Sequence, residues 1–143
     1  MKQPVKILFV LFLFLLTPIN TKASEISVTN PWIREAPPNT QMLAAYMEII
    51  NNSKHTIQLE SAASADFEMV MIHRTETHEG MSHMAKQSGL QIKSGENVIL
   101  EPGGYHLMLM NPKRNLQAGD KIKLQLQFDN REAIAVTAVV RKK

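Results

Sequence analysis

Two alternating segments decide how this chain folds: Glu68-Met69-Val70-Met71-Ile72-His73 and Tyr105-His106-Leu107-Met108-Leu109-Met110. Successive side chains of a β-strand point to opposite faces. Val70 and Ile72 therefore share one face of the first segment, and Met69, Met71 and His73 share the other. In the second segment Tyr105, Leu107 and Leu109 face one way while His106, Met108 and Met110 face the other. Each segment joins an ordinary apolar face to a face of thioethers and imidazoles. Between them, residues 77–88 are polar, carry Met81, His83 and Met84, and show no apolar stripe of helical period, so a loop or a loose hairpin is expected there.

Working outward, further short strands are expected at 25–29, 43–50, 56–60, 98–100, 122–128 and 134–140. The last two are the clearest, because Ile122, Leu124, Leu126 and Phe128 alternate with Lys121, Lys123, Gln125 and Gln127. Asp129-Asn130 then turns the chain into a strand whose inward set is Ile134, Val136, Ala138 and Val140. Pro102-Gly103-Gly104 makes the turn that delivers Tyr105, and Asn111-Pro112 ends the strand that follows, since proline lacks the N–H that a ladder needs. Trp32, just after the first strand, reads as a core plug near one edge of the sheet. Met42 and Met47 read as core, and His55, at a turn, as a surface histidine. Many short strands, close turn signals and no long amphipathic helix indicate an all-β fold, an antiparallel β-sandwich.

The first 23 residues read differently. Lys2 and Lys6 precede the apolar run from Ile7 to Leu16, and Thr21-Lys22-Ala23 supplies the small-residue pattern of a cleavage site. This is the pattern of a secretory signal peptide, 1–23, leaving a domain at 24–143. The apolar run is shorter than the roughly 20 residues of a membrane span. With no cysteine at the junction, neither a lipid anchor nor any other stable membrane attachment is expected after cleavage. Lys2, Lys6 and Lys22 leave with the signal, so 13 of the 16 Lys+Arg remain against 13 Asp+Glu. A formally neutral domain gives no electrostatic reason to bind nucleic acid.

The chain contains 9 Met and no Cys, which excludes disulfides, thiolate metal sites and a blue-copper centre. Thioether sulfur is a soft, neutral donor and imidazole a borderline one, so a mixed His/Met face suits Cu(I) and discriminates against hard cations. Neither donor is lost to disulfide formation in an oxidising compartment. Nucleophile elbows, phosphate loops, dinucleotide fingerprints and the helical spacing of zinc proteases are all missing, so an enzyme is not expected.

The spacing adds a family. His73, ten residues, Met84, twenty-one residues and His106-Leu107-Met108 match the H-x10-M-x21-H-x-M pattern of periplasmic copper(I) chaperones of the PCuAC type. Pro31-Trp32-Ile33-Arg34, Ala44-Ala45-Tyr46 and Glu101-Pro102-Gly103-Gly104-Tyr105 also resemble that family. The resemblance implies a cupredoxin-like Greek-key sandwich that holds one Cu(I) through His73, Met84, His106 and Met108. It further implies a periplasmic location, ligand-exchange transfer to an acceptor, and a role in assembling the Cu(A) centre of cytochrome c oxidase. The partner would then be oxidase subunit II or a Sco-type protein. Met81, His78 and His83 lie on the same polar segment as Met84 and are alternatives to it, while Met69, Met71 and Met110 read as a greasy surround. Two rival functions stay open: copper sequestration or resistance through the same site, and a metal-free Ig-like assembly or adhesion module.

Overall fold

The computed structural model describes residues 24–142, so the expected signal peptide and its cleavage after Ala23 lie outside the described residues, as does Lys143. The described residues form ten strands and no helix: β1 (Ile26–Arg34), β2 (Met42–Asn51), β3 (Ile57–Ala63), β4 (Phe67–His78), β5 (Met81–Lys86), β6 (Leu90–Ile92), β7 (Asn97–Leu100), β8 (Tyr105–Pro112), β9 (Lys121–Phe128) and β10 (Ala133–Arg141). Their order is β5-β4-β8-β2-β1-β10-β9-β3-β6, with β7 pairing β2 beside β8. That path folds over on itself. β3 contacts β4 although the two stand far apart in the strand order, and the result is an all-β, cupredoxin-like sandwich.

Alternation builds the core. Ile122, Leu124, Leu126 and Phe128 are buried while Lys121, Lys123 and Gln125 on the same strand are exposed. Leu107 and Leu109 of β8 and Ile72 of β4 supply the facing layer. Asn51 is the one fully buried side-chain amide among the described residues. Its Nδ2 donates to the carbonyls of His55, Ile92 and Lys93, and its Oδ1 accepts from the Ser53 amide and hydroxyl. Those bonds tie β2 to the ends of β3 and β6, and they answer the desolvation that an unpaired amide would suffer there.

Three local expectations need correction. The first strand does not stop at Thr29. Asn30 adopts φ 49°, and the register with β2 shifts between Thr29 and Trp32, a bulge that absorbs Pro31 and lets β1 continue to Arg34. Because a bulge changes the parity, Ile26 points into the core before it and Ile33 after it, which leaves Trp32 and Arg34 on the outer face. Trp32 is not near a sheet edge, since β1 lies between β2 and β10. The β1–β10 pairing at Trp32–Val139 is parallel, an exception in an otherwise antiparallel sandwich. Lastly, residues 77–88 are neither a loop nor loose: β4 runs on to His78 and pairs β5 in register from His73–Lys86 to His78–Met81. Glu79 and Gly80 both take positive φ, as a two-residue hairpin turn of the I′ kind requires.

Candidate metal centre

On the outer face of β2, β8 and β4 the side chains stack in rungs. Cross-strand partners in an antiparallel pair share a face. Met71 pairs with Met108, which pairs with Ala44 on the far side. One rung along, His73 pairs with His106, and His73 also stands opposite Lys86 of β5. His106 is flanked by Tyr46, with ring centroids 6.5 Å apart, and Tyr46 by Trp32, at 4.6 Å. The next rung pairs Thr75 with Met84. His73, His106, Met108 and Met84 therefore lie on one face, on three neighbouring strands.

The hairpin register separates Met84 from its alternatives. Met84 lies two residues from Lys86 and shares its face, whereas Met81 opposes His78 and His83 opposes Glu76, one residue out of phase. Met81, His78 and His83 thus project from the opposite side of the hairpin. Met84 itself is 63% exposed and lines a cleft of about 280 Å³ together with His106, Met108, Met42, Tyr46 and Arg34.

The two imidazoles have unlike surroundings. In His106, Nδ1–H donates to the Gly104 carbonyl at 3.1 Å, a contact that assigns the proton to Nδ1 and leaves the Nε2 lone pair free. The same carbonyl accepts the Thr75 amide at 3.0 Å, and Gly103, at φ 86°, lies in the turn before β8. His73 is only 9% exposed, and neither of its ring nitrogens has a hydrogen-bond partner. Burial, and then the neighbouring His106 and Lys86, hold its pKa below the ordinary histidine value and favour the neutral, donor form. The ring centroids lie 5.9 Å apart. Two imidazoles bonded to one ion at about 2.0–2.1 Å per nitrogen keep their centres roughly 4.5–6 Å apart, so the spacing is of the right size.

Among the described residues no three His, Asp or Glu side chains gather into a group able to hold a metal. The face offers two imidazoles and thioethers instead, a donor set for a soft cation. Sequence reasoning overlooked three residues of the cleft. Met42 is 53% exposed and not core. Tyr46 is buried between Trp32 and His106, and burial raises its pKa against a smaller opposing effect from Arg34. The Arg34 guanidinium sits over the Tyr46 ring at 5.8 Å. Parity within β2 was the available signal, because Leu43, Ala45 and Met47 point inward and so Met42, Ala44 and Tyr46 cannot.

A sequence model of the LpqE-like family matches residues 26–140, from the start of β1 almost to the end of β10. The chain belongs to the LpqE-like family. This LpqE-like chain is 31% identical over 121 residues to Lxx21020 of Leifsonia xyli subsp. xyli, a protein named as a lipoprotein, covering 84% of the chain and 72% of that protein. It is 30% identical over 109 residues to an uncharacterised protein of Rickettsia prowazekii, covering 73% of the chain and 60% of the relative. Among solved structures, the copper-bound PCuAC domain from PmoF2 superposes with a TM-score of 0.72 at 21% identity, over 84% of this chain and 95% of that one, a likeness of fold. The Cu(I)-loaded solution structure of DR1885 from Deinococcus radiodurans gives 0.65 at 30% identity, over 82% and 77%.

Proposed function

We propose that this protein is an exported copper(I) chaperone of the PCuAC type that carries one Cu(I) on His73, Met84, His106 and Met108. The observation that carries the reading is a buried imidazole with both nitrogens unpartnered, standing beside a second imidazole whose tautomer is fixed and two thioethers on the same face. A buried nitrogen without a partner costs stability unless a ligand fills the position. The relative DR1885 has been solved with Cu(I), which supports the same cargo here.

All four ligands are neutral, so loading leaves the charge of the ion uncompensated and favours a site open to exchange. Met84, exposed at the edge of the cleft, is the ligand an acceptor reaches first. Thioether–Cu(I) bonds are individually weak. The acceptor's donors replace Met84, then Met108, while the imidazoles still hold the ion, and the transfer complex shares one Cu(I) between two proteins. An exposed ligand of this kind suits hand-over better than storage, for which a closed site would serve. The acceptor we propose is the Cu(A) subunit of cytochrome c oxidase or a Sco-type protein that delivers to it, in the periplasm. Relatives named as lipoproteins support export, and we propose that residues 1–23 are the cleaved leader.

A Cu(I) titration against a calibrated chelator tests this reading, with one high-affinity equivalent expected. Loss of that equivalent in neither His106→Ala nor Met108→Leu would overturn the assignment. A deletion strain separates delivery from sequestration: lost oxidase activity supports the first and lost copper tolerance the second.

A further inference from the structure

Beyond the His pair the same face carries another row of thioethers. Met110 pairs with Met42 on one side and with Met69 on the other, so three methionines occupy one rung across β2, β8 and β4. Met42 and Met69 are 53% and 55% exposed, and Met110 is half-buried. Core packing explains none of them, because Leu43, Leu109 and Val70 already fill the inner face of the same strands. Two large apolar side chains held in water on either side of a half-buried third bring little packing benefit, which leaves the chemistry of their sulfurs. Neighbouring strands lie about 4.8 Å apart, so the outer two methionines are spaced by about 10 Å. Flexible thioether chains leaning inward over Met110 can close that gap on a single ion.

We propose that Met42, Met110 and Met69 form a second, thioether-only site for a soft monovalent cation, Cu(I) or Ag(I), on the surface next to the His/Met centre. Met108 and Met71 occupy the rung between the two, at about 7 Å along the strands, and connect them through sulfur. With no imidazole and two of its three side chains exposed, the row binds more weakly than the His/Met centre and exchanges faster. It is where an arriving ion meets the protein first. The inference rests on the chaperone reading for the identity of the cation and for nothing else.

Titrating the protein with Ag(I) while following the methionine ε-methyl resonances tests the row directly, since Ag(I) mimics Cu(I) without redox chemistry. The expected result is two phases, the first shifting Met84 and Met108 and the second, weaker one shifting Met42, Met69 and Met110. In the variant M69L, which replaces an exposed side chain outside the cleft of Met84 and His106 by one of similar volume, the first phase stays and the second weakens about tenfold or more. A wild-type protein whose Met42, Met69 and Met110 methyls never respond overturns the proposal, as does a second phase that survives unchanged in M69L. If the row responds while Met84 and Met108 do not, the chaperone site fails and the row stands.

Discussion

Replacing His73 by leucine should make the copper-free protein more stable and the copper-loaded protein less so. His73 is 9% exposed and both of its ring nitrogens lack partners. A buried polar group left without a hydrogen bond costs about 1–3 kcal/mol, and replacing it with an apolar group of similar shape removes that cost. Leucine fits the position beside Ile72 and opposite His106, so His73→Leu is expected to stabilise the apo-protein by about 1–3 kcal/mol, or roughly 4 °C in Tm per kcal/mol for a domain of this size. Copper reverses the order. At a thousandfold excess of free ion over Kd, binding adds about 4 kcal/mol to the wild type, most of which the variant forfeits.

Acid sharpens the comparison. The pKa of His73 is held down mainly by burial, with His106 and Lys86 adding to it. As pH falls below the ordinary histidine value of about 6.5, the unfolded chain takes up a proton that the native ring resists. The unfolded state then binds more protons, so wild-type stability drops with pH in that window and is regained above it. His73→Leu lacks this component and should show a flatter profile. Urea denaturation followed by the fluorescence of Trp32, the single tryptophan, measures all three effects. Should the apo variant lose stability like an ordinary core truncation, or keep the wild-type acid slope, the account of His73 as an orphaned donor is wrong.

Three further outcomes follow from the register and the polar core. Met84→Leu should weaken Cu(I) binding by at least about 10–100-fold, the loss seen when even an outer partner of a metal ligand is removed, while Met81→Leu and His83→Ala leave it unchanged; chelator competition on the three variants decides the point. His106→Ala should abolish high-affinity Cu(I) binding with the far-ultraviolet circular dichroism unaltered, because its ring packs on the outer face and not in the core. Asn51→Leu should cost about 3–5 kcal/mol in denaturant unfolding without touching copper affinity per folded molecule, since it strands the buried carbonyl of Ile92 and removes the partner of the part-buried carbonyls of His55 and Lys93.

The long alternating strands were readable because burial on one face imposes a period of two, which Ile122 to Phe128 and Tyr105 to Met110 display openly. β5 was not readable. Its residues Met81–Lys86 are all exposed, so no face is written in apolar residues, and Glu79-Gly80 is a weaker turn signal than Asn-Gly or Asp-Gly. The end of β1 was hidden by Pro31, which a bulge accommodates. Met42 was misread through a lapse of parity: it and Met47 stand an odd number of positions apart in the sequence, and in a regular strand both cannot face the core. The same parity puts His106 and Met108 on one face of their strand and His73 opposite the apolar face of its own, whereas the pairing of those strands and the side taken by Met84 depend on registers that only the structure supplies.

That register has a mechanical consequence for transfer. β5 is a terminal strand of the sheet, paired only with β4, and it contributes no buried side chain. Local opening is cheapest where few apolar contacts are lost, so β5 can lift from the sheet without disturbing the core, and Met84 moves with it. His106 and Met108 cannot follow, because Leu107 and Leu109 anchor the same strand in the interior. The proposed centre is therefore divided by stability: three donors sit on fixed strands and one sits on the element that yields most readily. An acceptor needs to capture only the position that Met84 vacates. Release then proceeds from the hairpin inward, with the buried His73 as the last donor to let go, and the desolvation of its bare nitrogens in the apo-protein opposes premature loss of the ion.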